Sequence, residues 1–434
     1  MVDVLGLTLI LPLLHIYAVR FNASALEIGV VVAAFPAAQL IGLPVMGALS
    51  DRYGRKPLLI ISQISTCIGF LMLAFAGSLW MVILSRLVDG LFGANLSTAQ
   101  AALSDITTEE QRTQALGITG AAFGIGFIFG PVISLLMLEF SDELALPALA
   151  AAGYSMLSIV LTQLMFRETL PASKRSSAAS STIARSNVLS MLRYLSNPLL
   201  IVPLTLLFAQ QLIFFGFESL LGVFTLNRLG LLAQGNAFVF IYVGIILVLV
   251  QVRFLGKWSR KYGEAKLVRL ALALLAIGLL LLSATPQQAN PLYERRVAEQ
   301  RLLDKFPSSA EAIVGRFAIS LPPQEGKGFG GFLWLMLALT PLSVGAALIR
   351  PSLNSMITKR VDSQQYGRAL GIGTSFTGAA DAVAPLIAGL IFQQSGAAAP
   401  FLVGGVVMFI LFLFSLLVFK IKLTDPTLPA MSVS

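Results

Sequence analysis

Six ionisable side chains lie inside or next to strongly apolar segments of the chain. Arg86 and Asp89 are three residues apart, which places them on one face of a helix. A charged group at the centre of a membrane helix costs about 2.5–3.5 kcal/mol, so each of these groups needs a partner, water or a function. A self-neutralising structural pair and a proton-binding carboxylate tuned by an arginine both explain Arg86 and Asp89. The six residues are Asp3, Arg86, Asp89, Glu218, Arg350 and Asp381.

The composition predicts a membrane protein. Of 434 residues, 56% are hydrophobic and 12% are charged, whereas a soluble domain is about 45–50% apolar and about 25% charged. The single cysteine, Cys67, and the single histidine, His15, exclude a disulfide framework and any cysteine-rich or histidine-based metal site. A membrane-embedded enzyme is disfavoured as well, because the chain lacks the histidines, cysteines or clustered catalytic pairs that such an enzyme needs. We therefore expect no enzyme activity, no metal and no cofactor.

Hydropathy predicts twelve spans long enough to cross about 30 Å of hydrocarbon. If both termini lie on the cytoplasmic side, 20 of the 30 Lys and Arg residues face the cytoplasm and eight face outwards. The positive-inside rule therefore favours this orientation, and the basic net charge is no sign of nucleic-acid binding. The first span has no cleavage signal, and we expect a retained helix. The spans are 3–19, 28–49, 58–77, 81–104, 115–137, 146–166, 198–221, 236–255, 265–285, 331–355, 369–393 and 399–420.

The twelve spans form two similar halves. A polar, serine-rich stretch at 167–197 predicts a cytoplasmic linker between a bundle at 1–166 and a bundle at 198–434. Residues 111–118 return at an offset of 254, and 47–54 return at an offset of 209. An extra outside loop at 286–329 explains the difference between the offsets. The sequence thus predicts an all-α membrane protein of two six-helix bundles, with a site near the membrane midplane between them.

A charged, glycine-containing turn joins the second and third spans. Its glycines permit a tight turn, and its acid lies beside cations able to bind neighbouring helix ends. The pattern resembles the signature loop of the major facilitator superfamily, and the resemblance to that family covers essentially the whole chain. That resemblance implies a latch on the cytoplasmic side, in which Asp51 pairs with basic residues such as Arg112. The motif residues are Gly47, Asp51, Arg52, Gly54, Arg55 and Lys56.

Two further motifs support the same resemblance. The fourth span, with Arg86, Asp89 and Asn95, is similar to the tetracycline-efflux-like branch of the drug:proton antiporters, and the resemblance implies proton coupling. The fifth span resembles the antiporter motif of exporters, although both terminal glycines of that motif are missing here, which weakens the inference of export. Its small residues also suit close helix packing. The matching positions are Gly117, Gly120, Gly124, Gly130 and Pro131.

Other polar residues are candidates for proton coupling or for the substrate cavity. Asp3 and Glu218 resemble acids of the same family. Asp381 has no charged residue within four positions along the sequence, although Arg350 could reach it from the tenth span. Partial solvation near a helix end also explains Asp3. For Gln39, a cavity position and an interhelical hydrogen bond are both open. The remaining cavity candidates are Phe35, Asn95 and Gln211.

These features predict a secondary transporter that exports amphipathic, drug-like molecules in exchange for protons. No phosphate-binding loop of the G-x-x-x-x-G-K-[S/T] type occurs, so direct use of ATP is not expected. We expect a protein that functions as a monomer in the plasma membrane, with protons and a small molecule as its partners within the bilayer. A facilitator or symporter of a metabolite, sugar or lipid on the same fold is the first alternative. A non-transporting membrane sensor or scaffold is the second.

Overall fold

A computed structural model describes residues 23–107, 145–170, 200–295, 321–360 and 366–421, with isolated positions within 5–21 and 122–137. Within these ranges the secondary structure is helical and contains no strand. Ten segments in the described part are long and apolar enough to cross a membrane. They correspond to ten of the twelve predicted spans. The first and fifth predicted spans lie largely outside the described residues.

Five helices of the N-terminal bundle are described over their whole length. Helix α1 begins at a capping box, in which the Ser24 hydroxyl accepts from the Glu27 amide and the Glu27 carboxylate accepts from the Ser24 amide. This reciprocal pairing satisfies two backbone donors at the helix start. Helix α1 packs against α3, and α2 packs against α3 and α5. The helices are α1 (Ala25–Tyr53), α2 (Arg55–Ala74), α3 (Leu79–Phe92), α4 (Asn95–Asp105) and α5 (Ala145–Met165).

The C-terminal bundle comprises seven described helices and one π-helical segment. Helix α9 packs against α10 and α12, and α6 packs against α11. Prolines occur inside two helices, at Pro341 and Pro351 of α10 and at Pro385 of α11. The elements are α6 (Ile201–Leu229), α7 (Ala233–Leu249), the π segment Val250–Leu255, α8 (Gly256–Tyr262), α9 (Glu264–Ser283), α10 (Gly330–Thr358), α11 (Tyr366–Ser395) and α12 (Ala399–Ile421).

Two glycines at equivalent places in the predicted repeat adopt the same uncommon backbone conformation. Gly54, between α1 and α2, has φ 107° and ψ 165°, and Gly263, between α8 and α9, has φ 76° and ψ 159°. Side chains other than hydrogen rarely tolerate positive φ in this region, so glycine is required at both turns. The two residues are 209 positions apart, which is the offset that the repeat predicts.

Two predicted spans are less regular than expected. The span predicted at 81–104 is interrupted after Phe92, and α4 begins anew at Asn95. The span predicted at 236–255 changes to a π helix at Val250, before α8 continues to Tyr262. Hydropathy averages over about 20 residues, so it does not detect a local change in helical hydrogen bonding. Single-turn π segments occur frequently at functional sites.

The two bundles meet along α1 and α11. We call the end of the molecule that holds Gly54 and Gly263 the basic end, and the other the opposite end. Near the opposite end, a Cβ on Gly29 of α1 would lie 2.4 Å from the Pro385 carbonyl oxygen of α11, and one on Gly389 would lie 2.6 Å from the Ala25 carbonyl oxygen. The helices therefore touch backbone to backbone there, and only glycine allows this approach.

Candidate functional site

The break between α3 and α4 is stabilised by polar side chains from two other helices. The Ala94 amide donates to the Ser62 hydroxyl of α2 at 2.7 Å. The Gln39 side chain of α1 donates from Nε2 to the Gly93 carbonyl oxygen at 2.9 Å. Backbone groups left unpaired in a membrane cost several kcal/mol each. Gln39 therefore forms an interhelical hydrogen bond.

Arg86 and Asp89 form a buried ion pair next to this break. Arg86 Nη1 lies 3.5 Å from Asp89 Oδ2, and each side chain is only 3% exposed. The Thr66 hydroxyl, which accepts from Asn95 Nδ2 at 3.2 Å, lies next to the Asp89 carboxylate. The Arg86 guanidinium lies over the Phe70 ring, 5.6 Å from its centroid, in a cation–π contact. The pair predicted from the three-residue spacing is thus present, and it is sealed from solvent.

Glycines make this packing possible. A Cβ on Gly90 would lie 2.3 Å from the Phe35 carbonyl oxygen, and one on Gly42 would lie 2.0 Å from that of Leu91. A Cβ on Gly69 would lie 3.0 Å from the Asp89 Cβ. Helices α1 and α3 therefore approach each other closely enough that a methyl group does not fit between them.

A second polar group lies in the C-terminal bundle. The Gln211 side chain of α6 donates from Nε2 to Asp381 Oδ1 of α11 at 2.6 Å. Glu218, two turns further along α6, interacts electrostatically with Asp381. Arg350 of α10 also acts on Asp381 through its charge. Four candidates from three helices therefore lie together.

Glu218 also lines a cavity of about 40 Å³ between the two bundles. A cavity of this size holds about two or three water molecules. Leu14 and Val32 of the N-terminal part lie on one side of it, and α6 and α7 form the other. Among the lining residues that the structure describes, Glu218 is the one carboxylate. The lining residues from α6 and α7 are Phe215, Glu218, Ser219, Gly222 and Phe240.

At the basic end, Arg55 connects several elements of the N-terminal bundle. Its guanidinium donates to Asp51 Oδ1 at 2.6 Å and to Asp105 Oδ2 at 2.9 Å. The Arg55 and Lys56 amides both donate to the Glu168 carboxylate, at 2.9 Å and 3.2 Å. Among the described residues, Asp51 pairs with Arg55; the predicted partner Arg112 lies outside them.

The C-terminal bundle has an equivalent ion pair of reversed charge. Glu264 at the start of α9 pairs with Lys359 just after α10, and it also accepts from the Ser355 hydroxyl. At the repeat offset of 209, Glu264 corresponds to Arg55, and at 254, Lys359 corresponds to Asp105. The pair is therefore kept between the same two positions, with the signs exchanged.

The structure gathers most of the predicted residues into three groups. Phe35, Gln39, Arg86, Asp89 and Asn95 surround the break; Gln211, Glu218, Arg350 and Asp381 form the second group; and the loop residues lie at the basic end. Arg52 is exposed and stacks on Tyr53, while Gly47 has open space around its α-carbon. Gly130 and Pro131 are buried in a helix. Outside the described residues lie Asp3, Arg112, Gly117, Gly120, Gly124 and most of the linker 167–197.

Several polar partners were missed by sequence reasoning. They are Ser62, Thr66, Asp105, Glu168, Glu264 and Lys359. The repeat offsets contain a signal for two pairs, since Arg55 and Asp105 map onto Glu264 and Lys359. No local pattern indicates Glu168, which is 113 residues away from Arg55.

Comparison with protein families defines the class of this molecule. The family model of the Major Facilitator Superfamily matches residues 1–293 and 312–432. The chain therefore belongs to the major facilitator superfamily. It is a multi-pass membrane protein of that family's all-helical fold, and the family and the structural neighbours are transporters.

Individual relatives narrow the comparison. The chain is 27% identical over 398 residues to the class B tetracycline resistance protein of Escherichia coli, covering 91% of this chain and 87% of the relative. It is 25% identical to multidrug resistance protein 2 of Bacillus subtilis, with 94% and 90% covered. Among solved structures, the human organic anion transporter MFSD10 matches with a TM-score of 0.65 at 22% identity, covering 95% of this chain and 96% of that one. The nucleoside transporter NupG matches with a TM-score of 0.68 at 13% identity, with 96% of each chain covered.

Proposed function

We propose that this protein exports amphipathic, drug-like small molecules across the plasma membrane in exchange for protons. The relatives named for resistance to tetracycline and to multiple drugs support this direction and substrate class. The observation that carries the proposal is the position of Glu218. This residue lines a cavity between the two bundles and interacts electrostatically with Asp381. A carboxylate at a moving interface is suited to bind a proton in one state and release it in another.

The orientation follows from the charges. The basic end faces the cytoplasm in our proposal, because the exposed cations Arg52, Arg253, Lys257 and Arg260 lie there. The N- and C-terminal bundles then correspond to 1–166 and 198–434, joined by the linker 167–197. The two bundles rock about their contact along α1 and α11, and this motion opens the site to each side of the membrane in turn.

The arrangement fits a state that is open towards the cytoplasm. The bundles are in backbone contact near the opposite end, at Gly29 and Gly389, and residues of both enclose the cavity beside Glu218. Arg350, nearer the basic end, is exposed. A substrate therefore enters from the cytoplasm and meets the polar groups of α6, α10 and α11.

Two acids compete for the coupling role. The sequence favours Asp89, but its carboxylate is 3% exposed and already pairs with Arg86. Glu218 is half-buried at the interface and forms no ion pair with a described residue. We therefore propose Glu218, assisted by Asp381, as the proton-binding group. Asp89 is the alternative, in which rocking of the bundles releases it from Arg86.

Transport by the purified protein in liposomes tests this function. An imposed pH gradient should drive accumulation of drug-like dyes on one side, and an internal pH dye should report proton movement in the opposite direction. Downhill movement of a solute without proton movement would favour a facilitator. Complete absence of solute counterflow across a broad panel of drugs, metabolites, sugars and lipids would indicate a sensor or scaffold.

A further inference from the structure

Arg350 is an exposed cation within a membrane-spanning helix. It lies in α10, eight residues before the helix ends at Thr358, and it is flanked by Pro351. Eight residues of helix correspond to about 12 Å, so the side chain begins about 12 Å from the basic end of α10. The insertion cost of such a group indicates a functional role unless a partner neutralises it.

The direction of the Arg350 side chain follows from its helix. Leu333 and Leu337 are 65% and 57% exposed and mark the outer face of α10, whereas Gly345 packs against Ala271 and Leu275 of α9. At 3.6 residues per turn, Arg350 lies about 140° from both Leu337 and Gly345. It therefore belongs to a third face, which points neither to the outer leucines nor to α9.

The charged groups near this third face do not occupy the hydrogen-bond donors of Arg350. Arg350 interacts electrostatically with Asp381, but Asp381 accepts its hydrogen bond from Gln211 at 2.6 Å. Within the part of the chain that the structure describes, Arg350 forms no hydrogen bond and no ion pair. Its planar group of five N–H donors is thus presented to the space between the helices.

We propose that Arg350 binds an anionic group of the substrate, so that the transported molecules are amphipathic organic acids. This inference rests on the proposed export function. A guanidinium binds a carboxylate with two parallel hydrogen bonds, which is a strong and geometrically selective contact. Glu218 and Asp381 repel an anion, so the acidic group of the substrate lies at Arg350, towards the basic end. The apolar body extends towards Phe215 and Phe240 at the cavity.

Binding of two probes that differ only in charge tests the proposal. We would measure equilibrium binding of 9-anthracenecarboxylate and of anthracene-9-carboxamide to the full chain in lipid nanodiscs. Wild type should bind the carboxylate more tightly than the amide. Arg350→Gln should weaken carboxylate binding about 10- to 100-fold, as expected for loss of charged hydrogen bonds, and leave amide binding within about twofold. Arg350→Lys, which keeps the charge and loses the two-pronged geometry, should lie between them.

Controls separate this role from a structural one. Lys327→Gln removes an exposed cation outside the spans and should change neither affinity. The melting midpoint of Arg350→Gln should match that of wild type. A wild type that does not prefer the carboxylate, including one that binds neither probe, would overturn the proposal, as would equal loss of both affinities in Arg350→Gln. Failure of the proposed function shows up differently, as absence of proton-driven export of any solute in liposomes.

Discussion

The Gln39 side chain donates to the Gly93 carbonyl oxygen at 2.9 Å and thereby joins α1 to the break between α3 and α4. The two residues are 54 positions apart, so this bond connects helices that are distant in the sequence. It meets the hydrogen-bonding need of a carbonyl that the interrupted helix leaves unpaired. The break is therefore supported by its surroundings and is not a frayed end.

Replacing Gln39 should destabilise the fold. Gln39→Ala leaves the Gly93 carbonyl without its partner, which costs about 1–3 kcal/mol for a buried polar group. Thermal unfolding of the purified protein should show a lower midpoint than wild type. Gln251→Ala, which changes an exposed glutamine in the π segment, is the matched control and should leave the midpoint unchanged. Equal midpoints for both variants would show that Gln39 does not support the break.

Gly90→Ala should prevent close packing of α1 and α3. The added Cβ would lie 2.3 Å from the backbone oxygen of Phe35, and backbone atoms cannot move aside as a flexible side chain does. Overpacking of this kind costs about 1–3 kcal/mol or more. We expect less folded protein in the membrane fraction, measured by fluorescence-detected gel filtration.

The control for Gly90→Ala is Gly153→Ala in α5. A Cβ at Gly153 meets nothing within 4 Å, and alanine is a better helix former than glycine. Its yield should equal or exceed that of wild type. A normal yield for Gly90→Ala would contradict the backbone contact between the two helices.

The ion pairs of Arg55 should differ in importance. The Asp105 side chain is 21% exposed and that of Asp51 is 44% exposed, so solvent screens Asp51 more strongly. Asp105→Asn should lower the melting midpoint more than Asp51→Asn does. If Asp51 belongs to a latch, Asp51→Asn should slow turnover more than it weakens substrate binding, as initial transport rates and binding isotherms can show.

Arg52→Gln is the control for the Asp51 experiment, since Arg52 is exposed and stacks on the neighbouring Tyr53 ring. It should leave stability close to that of wild type. Undiminished turnover of Asp51→Asn at normal expression would remove the latch from consideration. The Arg55–Asp105 pair would still stand as a structural contact between α2 and α4.

Glu218→Gln should uncouple transport from protons. The amide keeps the size of the side chain but cannot carry a proton, so uphill export should be lost while binding and downhill exchange remain. Proton flux divided by substrate flux in liposomes measures this directly. Ser219→Ala, from the same cavity, should keep the wild-type ratio. If Glu218→Gln keeps the wild-type proton flux per substrate and Asp89→Asn loses proton flux while still moving substrate, coupling belongs to Asp89.

Periodic and repeated features of the chain were predictable. Apolar segments of about 20 residues indicated the spans, the three-residue spacing indicated the Arg86–Asp89 pair, and the repeat offset related Gly54 to Gly263. Each of these signals is local or recurs along the sequence. The positions of the ten described spans were accordingly close to those observed.

Contacts between distant helices were not predictable from one sequence. The approach of Gln211 to Asp381 joins residues 170 positions apart, and Glu168 binds amides more than 110 positions away. These bonds depend on how the helices pack, which periodicity does not encode. The break at Gly93 was missed for a related reason, because the groups that stabilise it, Ser62 and Gln39, come from other helices.

The exchanged signs of the Arg55–Asp105 and Glu264–Lys359 pairs make the two bundles non-interchangeable. Each pair joins two elements of its own bundle: Arg55 with Asp105 joins α2 to α4, and Glu264 with Lys359 joins the start of α9 to the end of α10. An acid at position 55 would face Asp105, and a base at position 264 would face Lys359, so like charges would meet in either bundle. The two members of a pair can therefore exchange signs only together, and a segment that carries one member cannot replace its counterpart in the other bundle.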